Sequence, residues 1–188
     1  MENESSSRIP TDKARRFSWY ARLVLANQRR RYGQELEPAR LWARTPWVFA
    51  ALSLLYGALD RRASPIEAAL RSLLTVRVSQ LNWCAFCVDI NSATGMKRGV
   101  SEAQIAALAH FETSPLFDAR QKAALAYAEA MTRTDAGVDD RLMARLKSHF
   151  DDDSIIELTA LIAFQNMSSK FNATLDVAPQ GFCCKAEE

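Results

Sequence analysis

Two cysteines, Cys84 and Cys87, have the spacing that is best suited to chemistry in this chain. Residues three apart lie about one helical turn from each other, so both side chains share a helix face and can form a disulfide. Asn82 is a favourable N-cap residue, which predicts that Cys84 lies in the first turn of a helix. The free N–H groups and the helix dipole stabilise a thiolate there. The spacing therefore predicts a dithiol/disulfide centre.

Two other interpretations of the cysteine pair stay open. Free cysteines are often simple apolar core residues. The pair could also supply half of a zinc site, but Cys183 and Cys184 are adjacent and lack the usual ligand spacing of about two to four residues. His110 and His149 are isolated. The sequence thus predicts no metal and no cofactor other than the redox-active disulfide.

Helices are predicted wherever apolar residues recur at helical spacing between prolines and glycines. Residues 66–81 follow this pattern, and the longer periodicity outweighs a strand-like alternation at 75–79 inside it. Capping-box patterns precede three predicted helices, at Ser64–Glu67, Ser101–Gln104 and Ser154–Glu157. The sequence therefore predicts an all-α fold of about seven or eight helices, with the CxxC pair at the start of one of them.

A chain of 188 residues is expected to form one domain. We place it at residues 17–182, between a polar, disordered segment at 1–16 and a short C-terminal tail at 183–188. The first segment lacks the apolar core of a signal peptide, and no run of about 18 apolar residues is present to cross a membrane. We therefore expect a cytoplasmic protein with no membrane partner.

The charge balance bears on possible partners. Lys and Arg number 24 against 22 Asp and Glu, a net charge of +2, so there is no electrostatic reason to expect binding to nucleic acid or lipid. The short cluster Arg29-Arg30-Arg31 is interpreted as a solvated helix face, because no groove-reading motif accompanies it.

The segment from Leu70 to Gly99 carries a family resemblance, and its most specific part is Arg77-Val78-Ser79-Gln80-Leu81-Asn82-Trp83-Cys84-Ala85-Phe86-Cys87. This segment resembles the carboxymuconolactone decarboxylase family in its AhpD-like alkylhydroperoxidase branch. A weaker likeness extends from Leu41 to Phe182. The resemblance implies an all-helical protomer that assembles into trimers or larger rings, with the cysteines near a subunit interface. It also implies hydroperoxide as substrate and a lipoyl protein or thioredoxin-like protein as reductant.

The resemblance and the helix position disagree about which thiol attacks first. In the branch, the second cysteine, here Cys87, attacks the hydroperoxide and becomes a sulfenic acid, which the first, here Cys84, resolves as a disulfide. Helix position alone favours Cys84, because it lies nearer the helix start. The order of attack therefore stays open in the sequence.

The chain departs from the branch at two positions of its proton relay. A histidine four residues after the second cysteine and a glutamate twelve before the first are replaced by Asn91 and Ser72. Asparagine can orient a thiol or a water but cannot accept a proton. A thiolate would then depend on the helix dipole and on a cation such as Arg77.

A polar run at 165–172 interrupts an otherwise apolar helix and places Asn166, Ser169 and Lys170 on one face. That face either lines a pocket or subunit interface or is plain surface. We include Asn166, with Ser72 and Arg77, among the residues expected to support the site.

Together with the resemblance, which implies the substrate, these residues predict a thiol-dependent peroxidase that reduces hydroperoxides with Cys84 and Cys87, assisted by Asn91. The alternative is an oligomeric redox sensor or binding protein whose cysteines oxidise without efficient turnover, which the loss of the histidine and glutamate favours. A lactone decarboxylase, the activity after which the family is named, is disfavoured because such members generally lack the CxxC.

Overall fold

The computed structural model describes residues 7–10 and 16–183 of the chain. All regular structure within these residues is helical, which confirms the all-α prediction. The described part of the chain contains nine α-helices: α1 (Trp19–Tyr32), α2 (Glu37–Trp42), α3 (Pro46–Leu59), α4 (Ala68–Leu81), α5 (Ala85–Lys97), α6 (Glu102–Ala107), α7 (Ala119–Thr132), α8 (Asp140–Lys147) and α9 (Asp152–Thr174). The short helices α2 and α6, of six residues each, bring the count above the seven or eight expected.

Helix α4 lies at the centre of the fold, where it packs against α5, α7 and α9. Its residues Leu70, Leu73, Leu74, Val76 and Val78 are all buried. Because neighbours cover several sides of α4, its apolar residues are not confined to one stripe. This burial explains the strand-like alternation inside it, and the prediction of helix over this stretch is confirmed.

Of the capping boxes that the sequence suggests, the one before α6 forms, with reciprocal bonds between Ser101 and Gln104. The box at Ser64–Glu67 does not form, because α4 begins only at Ala68. The Ser64 hydroxyl instead accepts from the N–H of Ile66 at 3.2 Å, which closes a local turn before the helix.

The box at Ser154–Glu157 does not form either, because the start of α9 is capped by Asp151, which accepts from the Ser154 N–H at 2.7 Å. Glu157 has other partners. Its carboxylate accepts from Ser64 Oγ at 2.5 Å and from Arg61 Nη2 at 2.6 Å. Glu157 therefore fastens the loop that follows α3 onto α9.

The ends of the described chain lie against the fold. The Arg8 N–H donates to the carbonyl of Leu175 at 2.8 Å, just after α9. Most of the tails predicted at 1–16 and 183–188, including Cys184, lie outside the described residues. Within residues 7–10 and 16–183, no helix is both long and apolar enough to cross a bilayer.

Candidate thiol site

The turn between α4 and α5 positions the two cysteines. Helix α4 ends with Asn82 as its C-cap, and α5 begins with Cys84 as its N-cap. Between them Trp83 adopts a φ of 55°, in the left-handed region that residues other than glycine seldom occupy. The prediction that Asn82 caps the cysteine helix is therefore wrong: the cap is Cys84 itself, whose Sγ accepts from the N–H of Cys87 at 3.2 Å.

The side chain of Asn82 holds this turn against α9. Its Nδ2 donates to Asn166 Oδ1 at 2.8 Å and to Ser169 Oγ at 2.9 Å. Asn166 in turn donates to Thr132 Oγ1 at 3.0 Å and so reaches α7. Asn166 and Ser169 thus belong to an interior polar contact, whereas Lys170 is exposed. The structure places Asn166 behind the cysteine turn and gives it no bond to sulfur.

Cys84 is buried in the fold but lines an open cavity of about 710 Å³. Other residues that line this cavity are Ser79, Gln80, Trp83, Ala85, Val88, Asp89, Ser92, Pro179, Gly181 and Cys183. The pKa of Cys84 is lowered, first by a hydrogen bond from the Cys87 thiol, with the Cys87 N–H and Asn172 adding to this effect and burial opposing it. Cys84 is therefore the cysteine that favours the thiolate form and borders the cavity.

Cys87 lies on the inner side of the pair. It is buried, and its Sγ accepts from Asn172 Nδ2 on α9 at 3.2 Å. The pKa of Cys87 is raised because its thiol donates to Cys84, because it is buried, and because a Cys84 thiolate lies beside it. The two cysteines thus divide into a thiolate-favouring Cys84 and a Cys87 that keeps its proton.

A buried polar cluster centred on Ser79 lies close to the cysteines. The Ser79 hydroxyl donates to the carbonyl of Thr75 at 2.6 Å and accepts from Gln165 Nε2 at 2.9 Å and Asn91 Nδ2 at 3.2 Å. A hydrogen bond from Gln165 also acts on Cys87, where it opposes the rise of the pKa. Asn91, at the position of the family histidine, is therefore directed to Ser79 rather than to a sulfur.

Ser72, at the position of the family glutamate, lies where α4 and α5 cross closely. A Cβ placed on Gly95 of α5 would come within 3.3 Å of Ser72 Cβ, so the two helices meet on small residues here. The Ser72 hydroxyl accepts from Arg98 Nη1 at 3.5 Å. The structure therefore gives Ser72 a packing position between the two helices.

Arg77 is directed toward α7. Its Nε donates to Glu129 Oε1 at 2.5 Å, and its Nη1 donates to Gln80 Oε1 at 3.1 Å. The cation that we expected to support the thiolate is paired with a carboxylate, and the causes of the two cysteine pKa shifts do not include Arg77. Stabilisation of a Cys84 thiolate thus comes from hydrogen bonds at the helix start.

Asp89 holds the last described segment of the chain over the cavity. Its carboxylate is buried and accepts from the backbone N–H groups of Gln180 at 2.9 Å and Cys183 at 2.6 Å. Pro179 and Gly181 in this segment line the cavity. Sequence analysis misses this role of Asp89, because its partners lie more than 90 positions away and leave no local pattern.

Gln165 and Asn172 are also absent from the residues expected from the sequence. Both belong to the polar run at 165–172, which is the sequence feature that could have indicated their place beside the cysteines. Among the residues that the structure describes, no group of three or more His, Cys, Asp or Glu side chains is arranged to hold a metal ion.

Comparisons with known proteins agree on the family and the fold. The model of the carboxymuconolactone decarboxylase family matches residues 46–130, which include both cysteines. The uncharacterized protein YnjA of Escherichia coli is 44% identical over 155 residues, which cover 82% of this chain and 85% of YnjA.

Two solved structures share the fold at low sequence identity. An alkylhydroperoxidase AhpD core protein from Ralstonia eutropha, itself described as peroxidase-related, matches with a TM-score of 0.81 and 22% identity over 94% of each chain. The debrominase Bmp8 matches with a TM-score of 0.76 and 21% identity, covering 87% of this chain and 88% of Bmp8. A cysteine-to-alanine variant of Bmp8 has been solved with 2,3,4-tribromopyrrole. The AhpD-like fold that the sequence predicts is confirmed.

Proposed function

We propose that this chain, which belongs to the carboxymuconolactone decarboxylase family, is a thiol-dependent peroxidase that cycles Cys84 and Cys87 between dithiol and disulfide. One observation carries the proposal: the Cys84 sulfur caps the start of α5, and Cys84 is one of the residues that line an open cavity. A thiolate at that position is stabilised by the helix amide groups, and a small substrate bound in the cavity would lie beside Cys84.

The reaction that we propose begins at Cys84. Its thiolate attacks one oxygen of a hydroperoxide ROOH, the O–O bond breaks, and the departing RO⁻ takes a proton from solvent to leave as the alcohol ROH. Cys84 becomes a sulfenic acid. The Cys87 thiol then attacks the Cys84 sulfur, the S–S bond forms, and the hydroxyl of the sulfenic acid leaves as water with the proton of the Cys87 thiol.

A dithiol must complete the cycle by reducing the disulfide, and it is oxidised to a disulfide in turn. A lipoyl protein or a thioredoxin-like protein, as the family resemblance implies, would serve. The order of attack proposed here is opposite to the one that the resemblance implied. It is supported by the different surroundings of the two sulfurs, because Cys87 lies against Asn172 and is not among the residues that line the cavity.

A redox sensor is the second candidate function. Asn91 hydrogen-bonds Ser79, and an amide cannot accept a proton, so the histidine relay of the branch has no substitute at that position. A sensor would use the same two cysteines for a stoichiometric oxidation without sustained turnover.

The experiment that tests the proposal adds a slight deficit of cumene hydroperoxide to the reduced protein. Samples are quenched with N-ethylmaleimide over seconds to minutes, and the cysteines are mapped by mass spectrometry. We expect a disulfide between Cys84 and Cys87 within seconds, and sustained peroxide consumption when dihydrolipoamide is supplied. Cys84→Ser and Cys87→Ser should each abolish that consumption, and Cys184→Ser is the matched control that should retain it.

The two serine variants also decide the order of attack. Cys87→Ser should accumulate a sulfenic acid on Cys84, which dimedone traps, whereas a sulfenic acid on Cys87 in the Cys84→Ser variant would restore the family order. Thiols that stay free for many minutes would contradict a peroxidase. Slow oxidation that does not turn over with the dithiol would support the sensor.

A further inference from the structure

Cys87 lies against two amide side chains of α9. Asn172 is buried, and its Nδ2 donates to Cys87 Sγ at 3.2 Å. Gln165 lies about two helical turns earlier on the same side of α9 and is also buried. A hydrogen bond from Gln165 acts to lower the pKa of the Cys87 thiol, as the one from Asn172 does. The inner sulfur of the pair thus faces neutral N–H donors.

No cation assists these two amides at Cys87. Among the described residues, the groups that act on the pKa of Cys87 are Cys84, Asn172 and Gln165. The other side chains that pack in the same buried cluster are apolar, and they include Leu41, Phe86 and Val177. Because a buried charge without polar partners is costly, a negative charge on Cys87 would depend on the amide N–H groups.

The other end of the Asn172 amide has no partner. Its Oδ1 is buried without a hydrogen bond, which costs free energy. The Cys87 thiol donates to Cys84, so its sulfur accepts from Asn172, and this keeps the N–H end of the amide toward the sulfur. A leucine of similar size would fill the space without an unpaired oxygen. An amide kept at this cost indicates that its N–H group does more than pack.

Negative charge reaches Cys87 when the disulfide is reduced. Cys84 borders the cavity and Cys87 is not among the residues that line it, so an entering thiolate meets the Cys84 sulfur. A bond forms between the entering sulfur and Cys84, the Cys84–Cys87 bond breaks, and its electron pair leaves with Cys87 as a buried thiolate.

The second thiol of the reductant completes this reduction. It attacks the reductant sulfur that is bound to Cys84, which closes the disulfide of the reductant and releases Cys84 as a thiolate. Of the two protons that the dithiol gives up, one is taken up by Cys87 and the other passes to solvent. Cys87 is therefore the departing thiol of the first exchange.

We propose that Asn172 is a catalytic residue of this reductive step, in which its amide N–H stabilises the Cys87 thiolate as it departs, with Gln165 as a second donor. Thiol–disulfide exchange is faster when the departing thiol has a lower pKa. Donors already in place where charge develops act as an oxyanion hole does, here with sulfur in place of oxygen. This role of Asn172 rests on the proposed dithiol/disulfide cycle, but it needs only the disulfide and not the oxidant that forms it.

The test follows the reduction of a disulfide that is made without peroxide. Wild-type protein and variants are oxidised with diamide, mixed with excess dithiothreitol at pH 7, and quenched with acid at several times for mass spectrometry. Asn172→Leu keeps the size of the side chain and removes the N–H group. We expect this variant to be reduced about tenfold more slowly or more, because a hydrogen bond to a charged group is lost. Asn172→Ala, which cannot overpack the site, should also slow the reduction.

Two controls separate this effect from a change in the fold. Ser154→Ala removes a buried hydroxyl from the opposite end of α9 and should be reduced at the wild-type rate. In the reduced variants, iodoacetamide should modify Cys84 at close to the wild-type rate, because the Cys87 thiol and N–H act on that thiolate more strongly than Asn172 does. In urea, all the disulfides should be reduced at the same rate.

Reduction of Asn172→Leu at the wild-type rate would overturn the role of Asn172 and leave the peroxidase proposal standing. A transient mixed disulfide of dithiothreitol with Cys87 would also overturn it, because Cys84 would then be the departing thiol. A different result separates the two proposals: slower reduction of both Asn172 variants supports the role of Asn172 even if cumene hydroperoxide fails to form the disulfide, which would contradict the peroxidase alone.

Discussion

The inner side of α9 packs Ile155, Leu158, Leu161 and Ile162 into the core, but its second half is polar, and its outer side is partly apolar. The inner side carries four amide or hydroxyl side chains that contact the interior, at Gln165, Asn166, Ser169 and Asn172. The outer side carries four apolar residues that face solvent, at Ile156, Ala160, Ala163 and Met167. Most helices bury their apolar side, so each side of α9 needs its own explanation.

The inner side is tolerated because most of its polar groups have partners, the exception being Asn172 Oδ1, which is buried without a hydrogen bond. Gln165 donates to Ser79, Asn166 accepts from Asn82, and Asn172 donates to the sulfur of Cys87. Buried polar groups cost little free energy when they are hydrogen-bonded and much when they are not. The comparison teaches that polar side chains inside α9 support the cysteine turn, while the apolar residues outside contribute little to the interior.

The largest expected effect is the difference in unfolding free energy between two variants, one with a carboxylate on the inner side of α9 and one with a carboxylate on the outer side. Asn172→Asp would bury an unpaired charge beside Cys87 and should lower the free energy of unfolding by about 3 kcal/mol or more at pH 7. Ala163→Asp on the outer side should change it by no more than about 0.5 kcal/mol. Urea unfolding of both variants at the same protein concentration measures the two values.

The pH dependence gives an internal control for Asn172→Asp. Burial raises the carboxyl pKa of the folded state above the unfolded value of about 3.9, so the penalty should be absent below that pH. It should grow as the pH rises from the unfolded pKa to the folded pKa. Equal losses of stability for Asn172→Asp and Ala163→Asp at pH 7 would contradict the division of α9 into two sides.

A smaller effect is expected from Ser79→Ala, which removes the acceptor shared by Gln165 and Asn91. Leaving the buried amide of Gln165 and the half-buried amide of Asn91 without this acceptor should cost about 1–3 kcal/mol. The matched control is Ser148→Ala, because that serine also donates to a backbone carbonyl but is exposed. Thermal unfolding of the two variants at equal concentration measures the difference, and similar melting temperatures would show that the cluster contributes little.

The fold could be predicted from the sequence because helices leave a periodic signal. The cysteine pair and its helix follow from local spacing in the same way. The exact start of that helix does not, because Asn82 and Cys84 can both act as caps. The left-handed backbone of Trp83 separates Asn82 from the cysteine helix, so that Cys84 is the cap. The side chain of Asn82 instead hydrogen-bonds Asn166, 84 positions away.

Other parts of the site depend on long-range pairs that no local pattern encodes. Arg77 is directed to Glu129, 52 positions away, and Asp89 reaches Gln180, 91 positions away. The polar run at 165–172 indicated that one side of α9 is unusual. It could not indicate that Asn172 would meet Cys87, because that contact requires the packing of α9 against α5.

The inner side of α9 contacts Cys87, whereas Cys84 meets the cavity, so the two thiols should react at different rates. At pH 7 we expect iodoacetamide to modify Cys84 about tenfold faster than Cys87 or more, because each unit of pKa changes the thiolate fraction by about tenfold. The lowered pKa of Cys84 means that its rate should level off at a lower pH than that of an ordinary cysteine. Tandem mass spectrometry locates the label, and urea-unfolded protein, in which both thiols should react alike, is the control.

The smallest effect is expected where the chain turns back after α9 and Asp89 holds residues 180–183 over the cavity. Asp89→Asn keeps one acceptor oxygen, so it can bind only one of the two N–H groups of Gln180 and Cys183 in the present geometry. Global stability should fall by no more than about 1 kcal/mol. The local effect should be clearer, with faster hydrogen exchange at these two amides.

Asp176→Asn is the matched control for Asp89→Asn, since it removes a carboxylate charge close in sequence to the segment that Asp89 holds. Asp176 is exposed and has a φ of 56°, a conformation that asparagine tolerates as well as aspartate does. Exchange at Gln180 and Cys183 should therefore stay at the wild-type rate in this variant. If Asp89→Asn exchanges no faster than Asp176→Asn, the carboxylate does not hold this segment. If it does exchange faster, a bulky maleimide should also reach Cys84 more readily, because the segment that Asp89 holds forms one wall of the cavity.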